Sequence, residues 1–514
     1  MLIPFRDLGS AGIQRDGFGP EMAPGAFTSG NNVRFSKGFL EKISGQSNFA
    51  GTLSDDPHGL FSVYVNGIRY LVYAGTSEIN CVTAGTHTDI TGPALTCDPN
   101  DIWTGGVLPG GMLVMNNPAD QPMYWAGDPG TPVATLTDWT STTRAQAVRP
   151  FLNFLFALNI NKNGTEYERL AMWSSAADVG SLPAEWTPSS TNDAGEQDLD
   201  VSSPLVDCIG FNDRLLIFSE TETVAATFIG APYTFRFQTI SRTHGLLTQR
   251  CAAIIPNVGV LAVTKGDIVI HTGSESPQSI ASGRMQDWFF DNLNPNVFRK
   301  TFVVENLWKN EVWICFPSLA STGACDKALI YNFVLNTWTT RDLPDAAAAV
   351  KSVVDDSVAE TFATISGTFS SVTLAFCDYD SAPQSVERVA IASVDGSAIY
   401  LVDGGSSFAG TAISASAERL GLTFDKPDKI KTVRSLRPRV DAADGVEISV
   451  YVGASFDPES DYTWSGPHTF TVGSDMKVDA MVSGRYIGVR FESTAASPWR
   501  LRSFDLDIQL QGDY

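Results

Sequence analysis

The sequence predicts an all-β protein, and three features of the chain support this fold class. Short apolar runs follow one another along most of its length, and polar turn residues separate them. The 44 Gly and 27 Pro residues supply many turns. Hydrophobic residues make up 43% of the 514 residues, enough for a large core, and one stretch, 285–293, has the spacing of a short amphipathic helix.

A β-hairpin is predicted over residues 60–74. Apolar runs lie on both sides of Asn66-Gly67, the dipeptide that best fits a two-residue type I′ turn. Similar short runs predict strands at 111–115, 151–160, 168–173, 213–218, 224–229, 258–263, 268–271, 301–304, 312–316 and 328–334. This dense series of short strands is typical of a sandwich, a barrel or a propeller.

Aromatic residues recur in or just after several of these runs, as at Trp125, Trp173, Trp313 and Trp338. Weakly periodic aromatics favour a β-propeller, in which each small sheet covers the face of its neighbour. Because no regular repeat signature is present, we predict an irregular propeller, and the sequence does not give its number of blades.

The last hundred residues have a different pattern. Apolar and polar residues alternate strictly over 446–452 and again over 504–510, which predicts antiparallel strands with one face in water. We therefore divide the chain into an N-terminal arm or leader (1–50), an irregular β-propeller (51–405) and a C-terminal antiparallel β-sandwich (406–514), with few short helices.

The charge of the chain limits the kinds of partner it can bind. Its 35 Lys and Arg against 57 Asp and Glu give a net charge of −22, so the average surface repels phosphate. The sequence therefore does not predict an ordinary nucleic-acid-binding protein. It is compatible with a conduit, because a wall without rows of basic residues would not hold a passing duplex in place.

The search for catalytic motifs finds no phosphate-binding loop, no zinc-protease motif and no nucleophile elbow, and the five histidines are far apart. Asp178 and Gly180, in a segment loosely similar to the aspartate box of sialidases, are interpreted as turn residues. The seven cysteines include no C-x-x-C pair and are interpreted as buried thiols, although Cys315 and Cys325 could meet across a hairpin. We predict no catalytic residue, metal or cofactor, no secretion signal and no membrane insertion.

The opening segment contains the ordered pattern Asn32-x-Arg34-x-x-x-Gly38-x-Leu40-x-Lys42, preceded by a glycine-rich stretch. This order resembles the start of the tail nozzle and tail hub proteins of short-tailed bacteriophages, the podoviruses, which include hub proteins that stabilise packaged DNA. Residues 212–224, 328–339, 484–491 and 499–508 resemble later strands of the same family. The resemblance covers nearly the whole chain, and its specificity comes from the order of loose motifs.

The resemblance implies a structural protein without catalytic activity. The family forms a ring of six copies below the portal and adaptor proteins of the virion, so the expected partners are other copies of the chain, the adaptor, and tail fibre, spike or needle proteins. Genomic DNA would pass through the lumen without sequence-specific binding, and the ring would help to retain and then release it. The expected location is the virion tail, after synthesis in the host cytoplasm.

A long polar loop over 189–203 departs from the family pattern. It carries the acidic residues Asp193, Glu196, Asp198 and Asp200. Closed rings bring loops from every subunit towards one axis. Our hypothesis is that this loop lines or narrows the DNA channel as a gate.

Two other classes of function stay open at this point. A propeller glycosidase or depolymerase would need two carboxylates at a fixed separation, which the sequence cannot establish. A glycan-binding or receptor-recognition propeller would present exposed aromatics such as Trp464 and Trp499, although aromatics in β proteins are more often in the core.

Overall fold

The computed structural model describes residues 1–83, 85–273, 276–355 and 385–513. The chain forms a β-propeller joined to a β-sandwich, which confirms the all-β fold class. Within the described residues the propeller has seven blades, each a sheet of four antiparallel strands. The first strands of successive blades lie side by side around a central axis, and the seventh lies against the first.

The first four blades are continuous stretches of chain. From the axis outwards, their strands are Gly59–Val65, Ile68–Ala74, Ile79–Thr83 and Thr86–Asp89 in blade 1; Thr104–Leu108, Met112–Asn116, Met123–Trp125 and Ala134–Thr135 in blade 2; Thr143–Phe151, Phe154–Lys162, Thr165–Trp173 and Gly195–Asp198 in blade 3; Leu205–Phe211, Arg214–Ser219, Thr223–Phe228 and Phe235–Ser241 in blade 4.

Blades 5 to 7 complete the ring. Their strands are Ala252–Ile255, Gly259–Val263, Ile268–His271 and Gln278–Ser279 in blade 5; Phe302–Asn306, Glu311–Phe316, Cys325–Asn332 and the first part of Thr337–Asp355 in blade 6; the second part of Thr337–Asp355, then Ser385–Ser393, Ala398–Val402 and Gln46–Asn48 in blade 7. A small hairpin, Ser407–Phe408 and Thr411–Ala412, follows blade 7.

Blade 7 takes its outermost strand from the other end of the propeller sequence. Gln46–Asn48 pairs antiparallel with Ala398–Val402, Tyr400 opposite Asn48. The ring is thus closed by backbone hydrogen bonds between segments about 350 residues apart in sequence, which leaves no open join between its first and last blades.

The sandwich consists of two sheets built from both ends of the chain. One sheet contains Leu2–Phe5, Val33–Ser36, Phe39–Lys42, Lys429–Asp441, Val478–Gly484 and Arg500–Asp513; the other contains Ser29–Asn31, Ala415–Leu422, Glu447–Ser455, Thr463–Thr471 and Tyr486–Ser493. The predicted alternation is visible here, because Ile448, Val450 and Val452 point into the core.

The first fifty residues were predicted to be a separate arm or leader. The structure instead places four of their five strands in the sandwich and the fifth in blade 7. The physical reason is strand pairing over long sequence separations. Leu2–Phe5 pairs with Arg500–Asp513, whose residues lie about 500 positions away, and local periodicity carries no signal of such a partner.

Two local predictions are confirmed. The hairpin has its turn at Asn66 and Gly67, both with positive φ, as a type I′ turn requires. The predicted helix is Gln286–Asn292, with Phe289 buried in the core, and the carboxylate of Asp16 accepts hydrogen bonds from two backbone N–H groups of its first turn. The other helices in the described part of the chain are three 3₁₀ turns, Gly19–Glu21, Phe298–Lys300 and Leu307–Lys309.

Six of the seven cysteines lie in the described residues, and all six are buried free thiols. Cys315 and Cys325, which could have met across a hairpin, are both free. Cys377 lies outside the described residues.

A buried ion network joins the sandwich to the propeller. Arg34, on a sandwich strand, donates hydrogen bonds to Glu311 of blade 6 and, at 3.0 and 3.2 Å, to Asp403 at the end of blade 7. Asn306 of blade 6 donates to Asp403 at 2.8 Å. Burial alone would lower the pKa of Arg34, but the carboxylates of Asp403 and Glu311 raise it above its usual value. Two carboxylates thus hold Arg34 charged in an apolar setting.

A second polar contact lies beside this network. The amide of Asn32 donates to Asp342 at 2.6 Å and to the carbonyl of Ser414 at 2.8 Å, and the backbone N–H of Asn32 donates to Thr340. Lys327 also contacts Asp342. These contacts fix one sandwich strand against the outer strand of blade 6 and the first residues after the propeller.

Removing the Arg34 side chain should destabilise the whole chain. We expect Arg34→Ala to lower the free energy of unfolding by about 3–5 kcal/mol, because it leaves Glu311 buried without its cation and leaves Asp403 with Arg341 alone, at 3.8 Å. Urea unfolding followed by circular dichroism measures the loss. The matched control is Arg500→Ala, which removes an exposed pair with Glu41 and should cost about 1 kcal/mol or less. Equal losses for both variants would contradict this role of Arg34.

Acid should weaken the contact between blades 4 and 5. His271 is fully buried against Phe218, and neither ring nitrogen has a hydrogen-bond partner among the described residues. Burial, with a smaller effect of His244, lowers the pKa of His271 from 6.5 to about 4. Since the unfolded chain takes up this proton first, stability is complete above pH 6.5 and is lost as the pH falls towards 4.

We therefore expect His271→Phe to remove up to about 3 kcal/mol of the wild-type loss of stability between these pH values. Denaturant unfolding at a series of pH values measures it. His468→Phe, at a partly exposed sandwich histidine, is the control and should keep the wild-type profile. An unchanged profile in His271→Phe would show that other groups cause the acid sensitivity.

Candidate functional site

The four acidic residues proposed as a gate lie at the outer edge of blade 3. Glu196 and Asp198 are on its outermost strand, and Asp193 and Asp200 flank that strand. All four are exposed. We call this set the rim patch.

Three of the four carboxylates of the rim patch pair with separate cations. Glu196 pairs with Lys162 at 2.5 Å, Asp198 with Arg169 at 3.5 Å, and Asp200 with Arg242 at 3.7 Å. The backbone carbonyl of Asp193 accepts from Trp173 and Thr234 instead. The structure therefore brings the four residues to one edge of the propeller without making their carboxylates converge on a single point.

A different set of charged residues lies at the propeller axis. The inner strands of all seven blades enclose a cavity of about 390 Å³. Its walls are mostly apolar, with Phe61, Trp103 and Val303 among them, and they carry three charged side chains, Arg149, Asp207 and Arg250.

Arg149 and Asp207 form a two-bond ion pair between blades 3 and 4. The Arg149 nitrogens lie 2.8 and 2.7 Å from the two Asp207 oxygens, and a third donates to the carbonyl of Gly105 in blade 2. Burial would lower the pKa of Arg149, but the charge of Asp207 raises it. This geometry links three consecutive blades at the axis.

Arg250 lies at the start of blade 5 and contacts blades 4, 6 and 7. Its backbone N–H donates to Asp207 at 2.9 Å, and its side chain donates to the carbonyl of Ala347 in blade 7 at 3.1 Å. The guanidinium also lies 5.3 Å from the ring centre of Phe302 in blade 6. Its Nε atom is buried and has no hydrogen-bond partner among the described residues.

Sequence reasoning missed these three residues. A detectable signal was present, because Asp207 interrupts the apolar run 205–209 and a buried charge in such a run needs a partner. The identity of that partner was not readable, since Arg149 is 58 residues away.

The side chains that could bind a metal or take part in catalysis can be located among the described residues. They contain no group of three or more His, Cys, Asp or Glu side chains that could hold a metal ion. Of the cavity residues, Asp207 is fully engaged by Arg149, and burial raises the pKa of the Cys208 thiol well above its usual value. Trp499, considered as an exposed stacking residue, is buried instead. In the part of the chain described, no helix is long and apolar enough to cross a membrane.

One end of the propeller exposes many large apolar side chains. In each four-stranded blade the first and third turns lie at the same end, because consecutive strands are antiparallel. Twelve of the twenty exposed large apolar side chains among the described residues lie at or beside these turns: Tyr64, Ile68, Val107, Leu152, Val179, Phe228, Ile229, Tyr233, Val258, Trp308, Val334 and Leu335. We call this end the apolar face.

Comparison with known proteins gives fold-level similarity alone. No family model matches the sequence, and no curated protein matches it. Similar solved structures include the WD40 β-propeller domain of Doa1, with 10% identity, a TM-score of 0.35 and coverage of 72% of this chain and 100% of that one. Another is YCF48 bound to a D1 peptide, with 9% identity, a TM-score of 0.35 and coverage of 68% and 93%.

The axial ion pair should matter more for stability than the rim patch. We expect Asp207→Ala to lower the free energy of unfolding by about 3–5 kcal/mol, because Arg149 would stay buried without its partner. Asp198→Ala, which removes an exposed pair at 3.5 Å, should cost about 1 kcal/mol or less. Denaturant unfolding of both variants measures the difference. A loss for Asp198→Ala as large as that for Asp207→Ala would contradict this ranking.

Proposed function

We propose that this chain is a structural ring subunit in the tail of a short-tailed bacteriophage, a nozzle or hub protein. Six copies would form a ring below the adaptor, continue the DNA channel of the virion, and contact fibre, spike or needle proteins. The chain would retain and then release the genome without catalysis.

The observation that carries this proposal is the position in the structure of the motif over residues 32–42, which resembles the tail family. Asn32 and Arg34 form the buried contacts between sandwich and propeller. Gly38 forms the positive-φ turn between two sandwich strands, Leu40 is fully buried, and Lys42 donates to a carbonyl of the same module. The motif that resembles the tail family thus lies where the sandwich and the propeller are joined, which supports the proposal.

The size of the axial cavity indicates that DNA would pass between several copies of the chain and not through the propeller of one copy. A cavity of about 390 Å³ has the size of a small-molecule site and has no room for a DNA duplex, whose major groove alone is roughly 12 Å wide. Arg149 also links blade 3 to blade 2, and Arg250 links the start of blade 5 to blade 7. A lumen for DNA therefore has to be formed by several chains, and a net charge of −22 per chain would keep its wall from gripping phosphate.

The apolar face supports an assembled state. Aromatic residues are enriched at the centre of protein interfaces. Tyr233, at 73% exposed, and Tyr64, at 59%, are the most exposed aromatic side chains of this face. We infer that this face contacts a neighbouring subunit or tail component in the ring.

Electron microscopy of the full chain, alone and on tails carrying its adaptor, tests the proposal. We expect a six-fold ring with an open lumen wide enough for duplex DNA. A monomer in solution would be compatible, since such rings can assemble on a template. Particles in which the chain is absent from the tail axis, or has another symmetry there, would contradict the proposal.

A deletion variant tests the hypothesis that the rim patch forms a gate. Deleting residues 190–200, which contain the whole rim patch, should change genome retention or the narrowest diameter of the ring. Asp213→Asn, at an exposed turn of blade 4, is the control and should change neither. Unchanged retention and diameter after the deletion would reject the rim patch as a gate and leave the ring proposal standing.

A further inference from the structure

The axial cavity contains one positive charge without a counter-ion. Arg149 and Asp207 neutralise each other through two short hydrogen bonds. Arg250 makes no ion pair with a carboxylate of the described residues, although the protein as a whole is strongly acidic. Asp207 accepts a hydrogen bond from the backbone N–H of Arg250, and the guanidinium of Arg250 does not donate to it.

A charge in this position is costly to keep. Burial lowers the pKa of Arg250 to about 10, and its Nε atom has no partner among the described residues. The backbone of Arg250 also adopts a positive φ of 62°, which residues with a side chain rarely do. Strained residues with unmet polar groups concentrate at binding sites, where a ligand supplies the missing partner.

The surroundings of Arg250 define what such a ligand would look like. The cavity wall exposes somewhat more apolar than polar surface, with Phe61, Trp103, Pro150 and Val303 among its apolar side chains. Its volume of about 390 Å³ falls within the roughly 300–1,000 Å³ of small-molecule sites. A fully hydrated anion would leave these walls unused, whereas an acid with an apolar body would use both parts.

We propose that the propeller axis is a binding site for a small organic acid, whose carboxylate pairs with the Arg250 guanidinium and whose apolar body packs against Phe61 and Val303. The carboxylate supplies the acceptor that Nε lacks and neutralises the charge of Arg250. The site uses side chains of blades 1, 5 and 6 together, so it exists in the closed propeller alone. It does not depend on the ring proposed above.

The charge of Arg250 also acts on two further basic groups, Lys300 and His58. Burial lowers the pKa of Lys300, and the nearby charge of Arg250 lowers it further. Burial likewise lowers the pKa of His58, with a further effect of Lys300, while Asp56 and Asp55 act in the opposite sense. A bound carboxylate would add a negative charge near these groups and raise the pKa of His58.

Titration calorimetry with benzoate tests the site in the full chain, and benzamide, which has the same shape without the charge, is the ligand control. We expect benzoate to bind the wild type, benzamide to bind far more weakly, and Arg250→Gln to weaken benzoate by roughly 10- to 100-fold. Arg250→Lys should keep part of the affinity. Arg236→Gln, at an exposed position on the outer strand of blade 4, should bind like the wild type.

A second readout covers the case in which Arg250→Gln does not fold. In the wild type, the NMR titration of His58 should move to higher pH when benzoate is added and stay in place with benzamide. Absence of benzoate binding to the wild type, equal binding of benzamide, or full affinity in folded Arg250→Gln would overturn the proposal. Inorganic phosphate binding as tightly as benzoate would overturn the organic-acid class.

Discussion

The buried contact of Arg34 with Glu311 and Asp403 is the interaction on which the two-module structure depends. Its three members come from a sandwich strand, blade 6 and the end of blade 7. A buried ion pair gains little net energy over apolar packing, but it strongly penalises any arrangement that separates its members. The network thus specifies one orientation of sandwich and propeller, and the apolar cluster that runs from blades 4, 5 and 6 into the sandwich supplies the bulk of the stability.

Apolar packing and directed polar contacts have the same separate roles at the propeller axis. The blades are held by apolar packing between their faces, whereas Arg149, Asp207 and Arg250 connect particular blades by directed hydrogen bonds. These hydrogen bonds lie in the wall of the axial cavity and link blade 2 to blade 3, blade 4 to blade 5 and blade 5 to blade 7.

Local features of the sequence predicted the fold class and several elements correctly. They did not predict which strands pair over long distances in the sequence. The hairpin at Asn66-Gly67 and the helix Gln286–Asn292 are specified by residues within a few positions of one another. The role of the first fifty residues was not predictable, because Gln46–Asn48 finds its partner strand about 350 residues later. The axial charges were missed for the same reason, and the rim patch was visible because acidic residues cluster in one loop. An exposed acidic cluster can be identified from the sequence, but the partner of a buried charge can be identified only from the fold.

The central claim is that the N-terminal segment makes propeller and sandwich one cooperative unit. Native-state hydrogen exchange in increasing urea tests it most directly, by following the amides of Phe39–Lys42 in the sandwich and Gln46–Asn48 in blade 7. The account predicts that both strands lose protection at the same urea concentration as the inner strands of the propeller. Loss of protection in the sandwich while the propeller stays protected would contradict it.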